Sequence, residues 1–556
     1  MPIEESVSLT NEGNFRALLQ YRISGGDSVL QKHLETAAKN ATYISKTTQN
    51  IIISCINDLI SQQIIAQVKE ARFFTVMLDE TADIANVERA SICVRYVYNN
   101  MINERFLKFA AVIDPTGLGL ATLLLQEISS LGLDMNNCVG QGYDGGSAMS
   151  GLHKGVQAII AQKYPRVLYV HCASHSFNFA ISDGCDLIAV QNVLGNIKKI
   201  YNFFRLSSVR TQILNNNTTK SKSTKKKLIN MCPTRWNERH ESVQTFYSLY
   251  ESIVDSLDEV TAIKPSDSLS LAINYHSALI GSGFIITLLT LNKLLLFTLI
   301  ISKNLQDKSI DLMHCKDAIE DILFILNKIR KDPDVEYDDI FEGAIELAKY
   351  TDSTIDIPRI TKRQVGEETA SVNNVPAKDA KEHFKLNYFI PILDYLITSI
   401  TDRFSDHVKQ ALTISSPAYL KTLNELIPAL QLYHDLLPDG GNMVIHQAEF
   451  SRWKLKCDNM TERPQTAVDA YNACDEKFFP NVKTLLQIFS TLPVTTASVE
   501  RTFSVLRLIK TYLRSTMSEQ RLTGLANMYI NNNINITADS VIDEFSKSRR
   551  KINFII

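Results

Sequence analysis

Apolar residues along the chain follow two rhythms. Up to about residue 70 they recur at helical spacing. Phe15, Leu18 and Leu19 form one set, and Ile51, Ile52, Ile56, Leu59, Ile60, Ile64 and Ile65 another, with a break at Gly25-Gly26-Asp27. From residue 73 the pattern shifts to short runs of aromatic and β-branched residues, which predict strands. These cover 73–78, 90–98, 105–113, 138–143 and 167–170. Asn99-Asn100 fits a hairpin turn between the second and third, and Asp114-Pro115 ends the third. A leucine-rich helix is predicted over 118–131 and a further helix over about 150–163. Three consecutive strands followed by helix, strand, helix and strand predict an α/β layer that opens with an antiparallel meander.

After Cys172 the pattern becomes helical again: an amphipathic stretch over 174–205, helices over 241–350 and helices over 386–436. Asn215-Asn216-Asn217 is expected to open a polar loop carrying Lys220, Lys222, Lys225, Lys226 and Lys227. Residues 352–383 lack an apolar period and read as a linker. Near the C-terminus, an apolar helix around 485–489 is followed by Ser498, placed to cap a helix carrying Glu500, Phe503 and Leu506. A last apolar helix follows Met517. The expected organisation is an N-terminal helical region (1–70), a first sheet-containing part (71–205), a helical stretch (206–477) and a C-terminal region (478–535).

Composition narrows the functional classes. A chain of 556 residues has room for about two to four domains. A net charge of −2 gives no global attraction to nucleic acid, so contact with DNA or RNA has to come from local patches. The nine cysteines are scattered, unlike a disulfide scaffold, which suggests a reducing compartment. No signal peptide is visible at Met1-Pro2-Ile3-Glu4-Glu5. The apolar stretch 278–301 could span a bilayer by length. It carries Asn292 and Lys293 at its middle, however, where a lysine costs about 3 kcal/mol. A buried core helix, and no membrane span, is the expectation.

The candidate chemistry lies at strand ends. The first strand ends on Asp79 and the fourth on Asp144. Were those strands neighbours, the two carboxylates would converge at one edge and repel unless a cation bound between them. Hard divalent cations favour such oxygen-only surroundings. Taken alone, Asp79 reads first as a turn cap and Glu500 as a helix-dipole charge. The lysine loop reads as a solvated loop or as a phosphate contact. Trp236, beside Arg235, reads as a core residue or as a stacking platform for an unpaired base.

Five separated blocks resemble the transposases of the hAT superfamily of cut-and-paste DNA transposons, over most of the chain. They are Leu78-Asp79-Glu80-Thr81-Ala82-Asp83, Gly142-Tyr143-Asp144-Gly145-Gly146-Ser147, His171-Cys172-Ala173-Ser174-His175, Thr234-Arg235-Trp236 and Ala497-Ser498-Val499-Glu500-Arg501-Thr502-Phe503-Ser504. The resemblance implies an RNase H-like α/β domain interrupted by a large helical insertion, with a C-terminal dimerisation region and hence a homo-oligomer. It implies an acidic triad of Asp79, Asp144 and Glu500 holding two Mg²⁺ or Mn²⁺ ions for phosphoryl transfer on DNA. It also implies a nuclear location and a DNA-contacting set of Trp236, Arg235, Lys225, Lys226, Lys227 and His175. Cys172 and His175 would organise the surroundings of the site, since two ligands alone do not make a zinc centre. Members of the superfamily usually carry an N-terminal zinc-binding domain, and no such Cys/His spacing is visible here. A domesticated protein acting through dimerisation and binding is the alternative to an enzyme.

Overall fold

The computed structural model describes residues 13–39, 41–183, 187–221, 223–231, 236–262, 267–307, 310–358, 375–413, 427–438, 440 and 442–547. Its centre is a five-stranded mixed sheet. The strands are β1 (Phe74–Ala82), β2 (Glu88–Tyr98), β3 (Met101–Ala111), β4 (Cys138–Tyr143) and β5 (Leu168–His171). Their order is β3-β2-β1-β4-β5, with β1–β2 and β2–β3 antiparallel and β1–β4 and β4–β5 parallel. All five expected strands form. The hairpin turn is built by Asn99 (φ 49°) and Asn100 (φ 60°), a pair of left-handed residues that suits a two-residue connection. The third strand begins earlier than expected, at Met101, because this tight turn leads straight into pairing with Tyr98.

Alternation along the strands sorts side chains onto two covered faces. Val76, Leu78, Ile92, Val94 and Tyr96 pack with the helices Lys46–Ala71, Gly117–Ser130 and Val156–Lys163. On the opposite face, Met77, Cys93, Phe106 and Phe109 pack against Val499, Phe503 and Leu506 of the helix Ala497–Ile509 and against Leu522 and Ala526 of Glu519–Ile530. Residues near the C-terminus therefore close a sheet whose strands lie hundreds of positions earlier. β4 is shaped for that closure. A Cβ at Gly140 would lie 2.9 Å from Leu492 Cδ2, and one at Gly142 would lie 2.9 Å from Pro493 Cγ, so only glycine lets this segment lie on the strand.

Two buried charge clusters fasten the layers. The Arg95 guanidinium donates to Glu104 Oε1 (2.8 Å) and to the carbonyls of Ser490 (3.3 Å) and Ile310 (3.3 Å), and the Arg95 and Glu104 side chains are 0% and 1% exposed. Ser498 Oγ donates to the other oxygen of Glu104. Ser498 is thus the second residue of its helix and bonds across to β3, in place of the expected cap; the residue before the helix, Thr496, makes no side-chain cap. In the second cluster Asp83 accepts from Arg89 Nε (2.6 Å) and from Lys510 Nζ, all three being buried.

The helical stretch shares one apolar core with the sheet, from Phe73, Val139 and Val170 through the helices Ile188–Arg205, Ser282–Asn304, Leu312–Lys331 and Asp334–Tyr350 to Leu492 and Val494. The apolar stretch weighed as a membrane span is the core helix Ser282–Asn304, whose Lys293 pairs with Glu336 (2.8 Å) and Asp339 (3.3 Å). By length and composition alone it and Lys46–Ala71 could each cross a membrane. The polar run Asn215-Asn216-Asn217 does not open a loop. It completes the helix Ser208–Lys220, because Asn217 is buried and donates to Ser256 Oγ (3.1 Å) and Glu259 Oε2 (3.2 Å). The expected single stretch 174–205 is two helices, Ala173–Asp183 and Ile188–Arg205. The expected helix over 150–163 begins only at Val156, after a short turn of helix at Ser147–Ser150. Within the expected linker, residues 359–374 lie outside the described residues, and 380–383 belong to the helix Ala380–Phe384.

Lys510→Met tests the second cluster. It leaves the buried Asp83 with one cationic partner, and a loss of about 3 kcal/mol in urea-unfolding free energy is expected. Burial alone would raise the Asp83 carboxyl. Lys510 and Arg89 outweigh it and hold it at about 2, so the stabilisation is present above the ordinary value of 3.8 and disappears as pH falls toward 2.

Candidate functional site

Register sets the first two acids side by side. In the parallel pairing of β1 with β4, Met77 lies opposite Gly142. Two residues further along each strand stand Asp79 and Asp144 (77 + 2 and 142 + 2). Alternation gives Asp79 the same face as Met77, the face covered by the helix Ala497–Ile509. Glu500 lies in the first turn of that helix. The helix is held to β2 by a hydrogen bond between Ser91 Oγ and Thr502 Oγ1 (2.7 Å) and to β3 through Ser498 and Glu104. Three acids distant in sequence thus meet at one rim of the sheet.

Their electrostatics record the crowding. The Asp79 carboxyl is pushed up to about 7, chiefly by burial, then by the charges of Asp144 and Glu500. His175 and the Glu80 N–H, which donates to Asp79 Oδ1 (2.8 Å), pull the other way without cancelling it. Glu80, which sequence reasoning passed over, is raised as well, by burial, Glu88 and Asp144, and its Oε2 is buried without a hydrogen-bond partner. Asp144 Oδ1 accepts from the Gly146 N–H (3.1 Å), which orients the carboxylate. Oxygen donors whose mutual repulsion the neighbouring His175 does not cancel fit a hard divalent ion. The oxygens of Asp79, Asp144 and Glu500 do not all lie within 4.8 Å of one another.

A second element touches the first at Glu500. Cys172 follows β5, and its N–H donates to the Tyr143 carbonyl (3.1 Å), while the Ala173 N–H donates to Val494 O (2.8 Å). These bonds splice the strand ends to residues 492–496. Cys172 Sγ accepts from the Thr496 N–H (3.2 Å). His175, one turn into the helix Ala173–Asp183, has Nδ1 3.5 Å from Glu500 Oε1. Burial alone would lower the imidazole, but its hydrogen bond to Cys172 and the charges of Cys172, Glu500 and Asp79 hold it at about 10. Burial would raise the Cys172 thiol, and His175 draws it down instead. His171 is pushed down to about 4, mainly by burial, and stays neutral.

Arg235 lies outside the described residues, and Trp236 begins the helix Trp236–Ser248, its side chain also outside them. Lys225, Lys226 and Lys227 are exposed on the segment between the helices Ser208–Lys220 and Trp236–Ser248. Lys226 Nζ is engaged by the carbonyls of Thr218 (3.0 Å) and Ser221 (2.8 Å), so it shapes the loop as well as charging it. Sequence reasoning also missed Arg95, whose signal was a lone cation in the apolar run Ile92-Cys93-Val94-Arg95-Tyr96-Val97.

Family models match three stretches of the chain. Residues 3–155 match the ZMYM1/FAM200, RNase-like domain, residues 170–270 the ZBED1 RNase-like helical domain, and residues 453–534 the hAT family C-terminal dimerisation region. The chain is similar, over much of its length, to proteins derived from hAT-type transposases. It is homologous to the 52 kDa repressor of the inhibitor of the protein kinase, with 29% identity to the human protein across 96% of this chain and 71% of that one. Identity to the mouse protein is 28%, over 96% of this chain and 72% of that one. The match to the dimerisation region supports a homo-oligomer.

The crowding of acids has a measurable sign. Because Asp79 holds its proton up to about 7 in the folded chain, against 3.8 ordinarily, native stability is lost as pH rises between those values. Asp79→Asn removes that loss. Thermal melts of the metal-free protein should show a stabilisation that grows from about pH 4 to pH 7 and levels off above; a pH-independent difference would contradict the crowding.

Proposed function

We propose that this chain is a metal-dependent DNA strand-cleaving and strand-transferring protein of the hAT type. Asp79, Asp144 and Glu500 would be its catalytic carboxylates, set in an RNase H-like core that the helical stretch interrupts. The observation that carries the reading is the elevated Asp79 carboxyl, raised by burial and by the other two acids. Acids crowded together at a cost to the fold mark a candidate site for a cation that relieves them. Asp79, Asp144 and Glu500 would hold Mg²⁺ or Mn²⁺, which supplies activation of an attacking oxygen and stabilisation of a leaving one in phosphoryl transfer. Asp144 is oriented for that work by the Gly146 N–H, and Asp79 by the Glu80 N–H. His175, cationic at neutral pH and partly exposed beside Glu500, can attract a phosphate to the rim. Lys225, Lys226, Lys227, Arg235 and Trp236 would contact DNA, the tryptophan by stacking on an unpaired base. Such a protein would work in the nucleus.

A second reading follows from the comparisons. The relatives are named as repressors, and the net charge of −2 gives no broad attraction to DNA. In that reading the chain acts as a domesticated, non-catalytic dimer that binds protein or DNA.

The two readings part on one assay. With Mg²⁺ or Mn²⁺ the purified chain should cleave hairpin-prone or branched DNA, and Asp144→Asn should reduce the rate by at least about a thousandfold without altering the melt. A folded wild type inert on every such substrate would leave the second reading. Light scattering should give a mass of at least twice 62.6 kDa in either case.

A further inference from the structure

Among the described residues, one set of three metal-capable side chains has its ligand atoms within 4.8 Å of one another: Cys172, His175 and Glu500. This is not the acid triad. It adds a sulfur and a nitrogen, ligands that Mg²⁺ does not favour and Zn²⁺ does. We propose that Cys172, His175 and Glu500 form a site for a single thiophilic divalent cation such as Zn²⁺, which competes with the acid site for Glu500.

Geometry supports the assignment on several independent points. Zinc–nitrogen and zinc–oxygen bonds of about 2.0–2.1 Å at tetrahedral to trigonal angles set two ligand atoms roughly 3.3–3.6 Å apart. His175 Nδ1 and Glu500 Oε1 are separated by 3.5 Å. That Nδ1 is buried and makes no hydrogen bond, so an ion that displaces the imidazolium proton meets no competing partner at this nitrogen. Cys172 and His175 are spaced i and i+3 at the head of a helix, which directs both side chains to one side. The Thr496 N–H at 3.2 Å from Cys172 Sγ supports a thiolate from behind, as an outer hydrogen bond does for a metal-bound sulfur. The His175 and Glu500 side chains are 21% and 30% exposed, which leaves an ion a way in. Three protein ligands leave a fourth position for water. Binding requires an unprotonated imidazole and a thiolate, so it would release to solvent the proton that the Cys172–His175 pair holds.

Glu500 can turn toward Cys172 and His175 or toward Asp79 and Asp144. A thiophilic ion would hold it in the first arrangement and leave the hard-ion site without its third carboxylate. That consequence rests on the catalytic reading above; the binding site itself does not.

The test uses the full reduced chain, freed of metal and titrated with Co²⁺ as a coloured substitute for Zn²⁺. One equivalent should produce a near-ultraviolet thiolate-to-cobalt absorption that Zn²⁺ abolishes. Cys172→Ser should remove the band. Glu500→Gln, at a partly exposed position where the shape is kept, should retain it with affinity weakened by about tenfold or more. Asp79→Asn and Asp144→Asn should titrate as the wild type does. No band in the wild type, a band that survives Cys172→Ser, or unchanged affinity in Glu500→Gln overturns the site. A wild type that gives the band but cleaves no DNA overturns the catalytic reading and leaves this one standing. Where cleavage is seen, Zn²⁺ at one equivalent should inhibit it, and Cys172→Ser should relieve the inhibition.

Discussion

The buried pair of Arg95 and Glu104 is the contact on which the site depends. Arg95 crosses from β2 to Glu104 on β3 and also reaches the carbonyls of Ser490 and Ile310. Glu104 in turn holds Ser498, two residues before Glu500. A fully desolvated pair of this kind is weak evidence of stability but leaves little freedom of arrangement, because each unsatisfied lone pair or N–H would cost free energy. Here every branch ends on a different part of the chain. The sheet, the helical stretch and the C-terminal helix are locked in one relative placement, and Glu500 is carried with them.

Closure in cis has a second support in the bare backbone of β4. Gly140 and Gly142 let Leu492 and Pro493 lie directly on the strand, and the segment continues to Val494 and Thr496, where it meets Ala173 and Cys172. The region that matches a dimerisation domain therefore has much of its apolar surface inside its own chain, in contact with Met77, Cys93, Phe106 and Phe109. Any surface it offers to a second copy is what remains outside those contacts.

The rim shows how burial and like charge act together. One carboxylate in water would ionise near 3.8, whereas Asp79, screened from solvent and faced by Asp144 and Glu500, keeps its proton to about 7. The same crowding brings Glu500 within reach of His175 and Cys172, so one side chain stands between two kinds of ligand field: oxygen-only on one side, sulfur and nitrogen on the other. The helix dipole adds a mild preference for an acid at this first-turn position, too small to account for the arrangement.

All five strands, the Asn99-Asn100 turn and the identity of three acids at element ends were legible in the sequence, because strand periodicity, turn residues and carboxylates are local signals. Local signals misled where a polar residue found a distant partner. Asn217 resembled loop and is helix because Ser256 and Glu259 receive it. Ser498 resembled a cap and instead bonds to Glu104. The pairing of β1 with β4, the descent of Glu500 onto their shared face and its approach to His175 were decided by tertiary structure alone. They arise from long-range packing and buried hydrogen bonds, whose partners lie tens to hundreds of residues apart and leave no periodic trace along the chain.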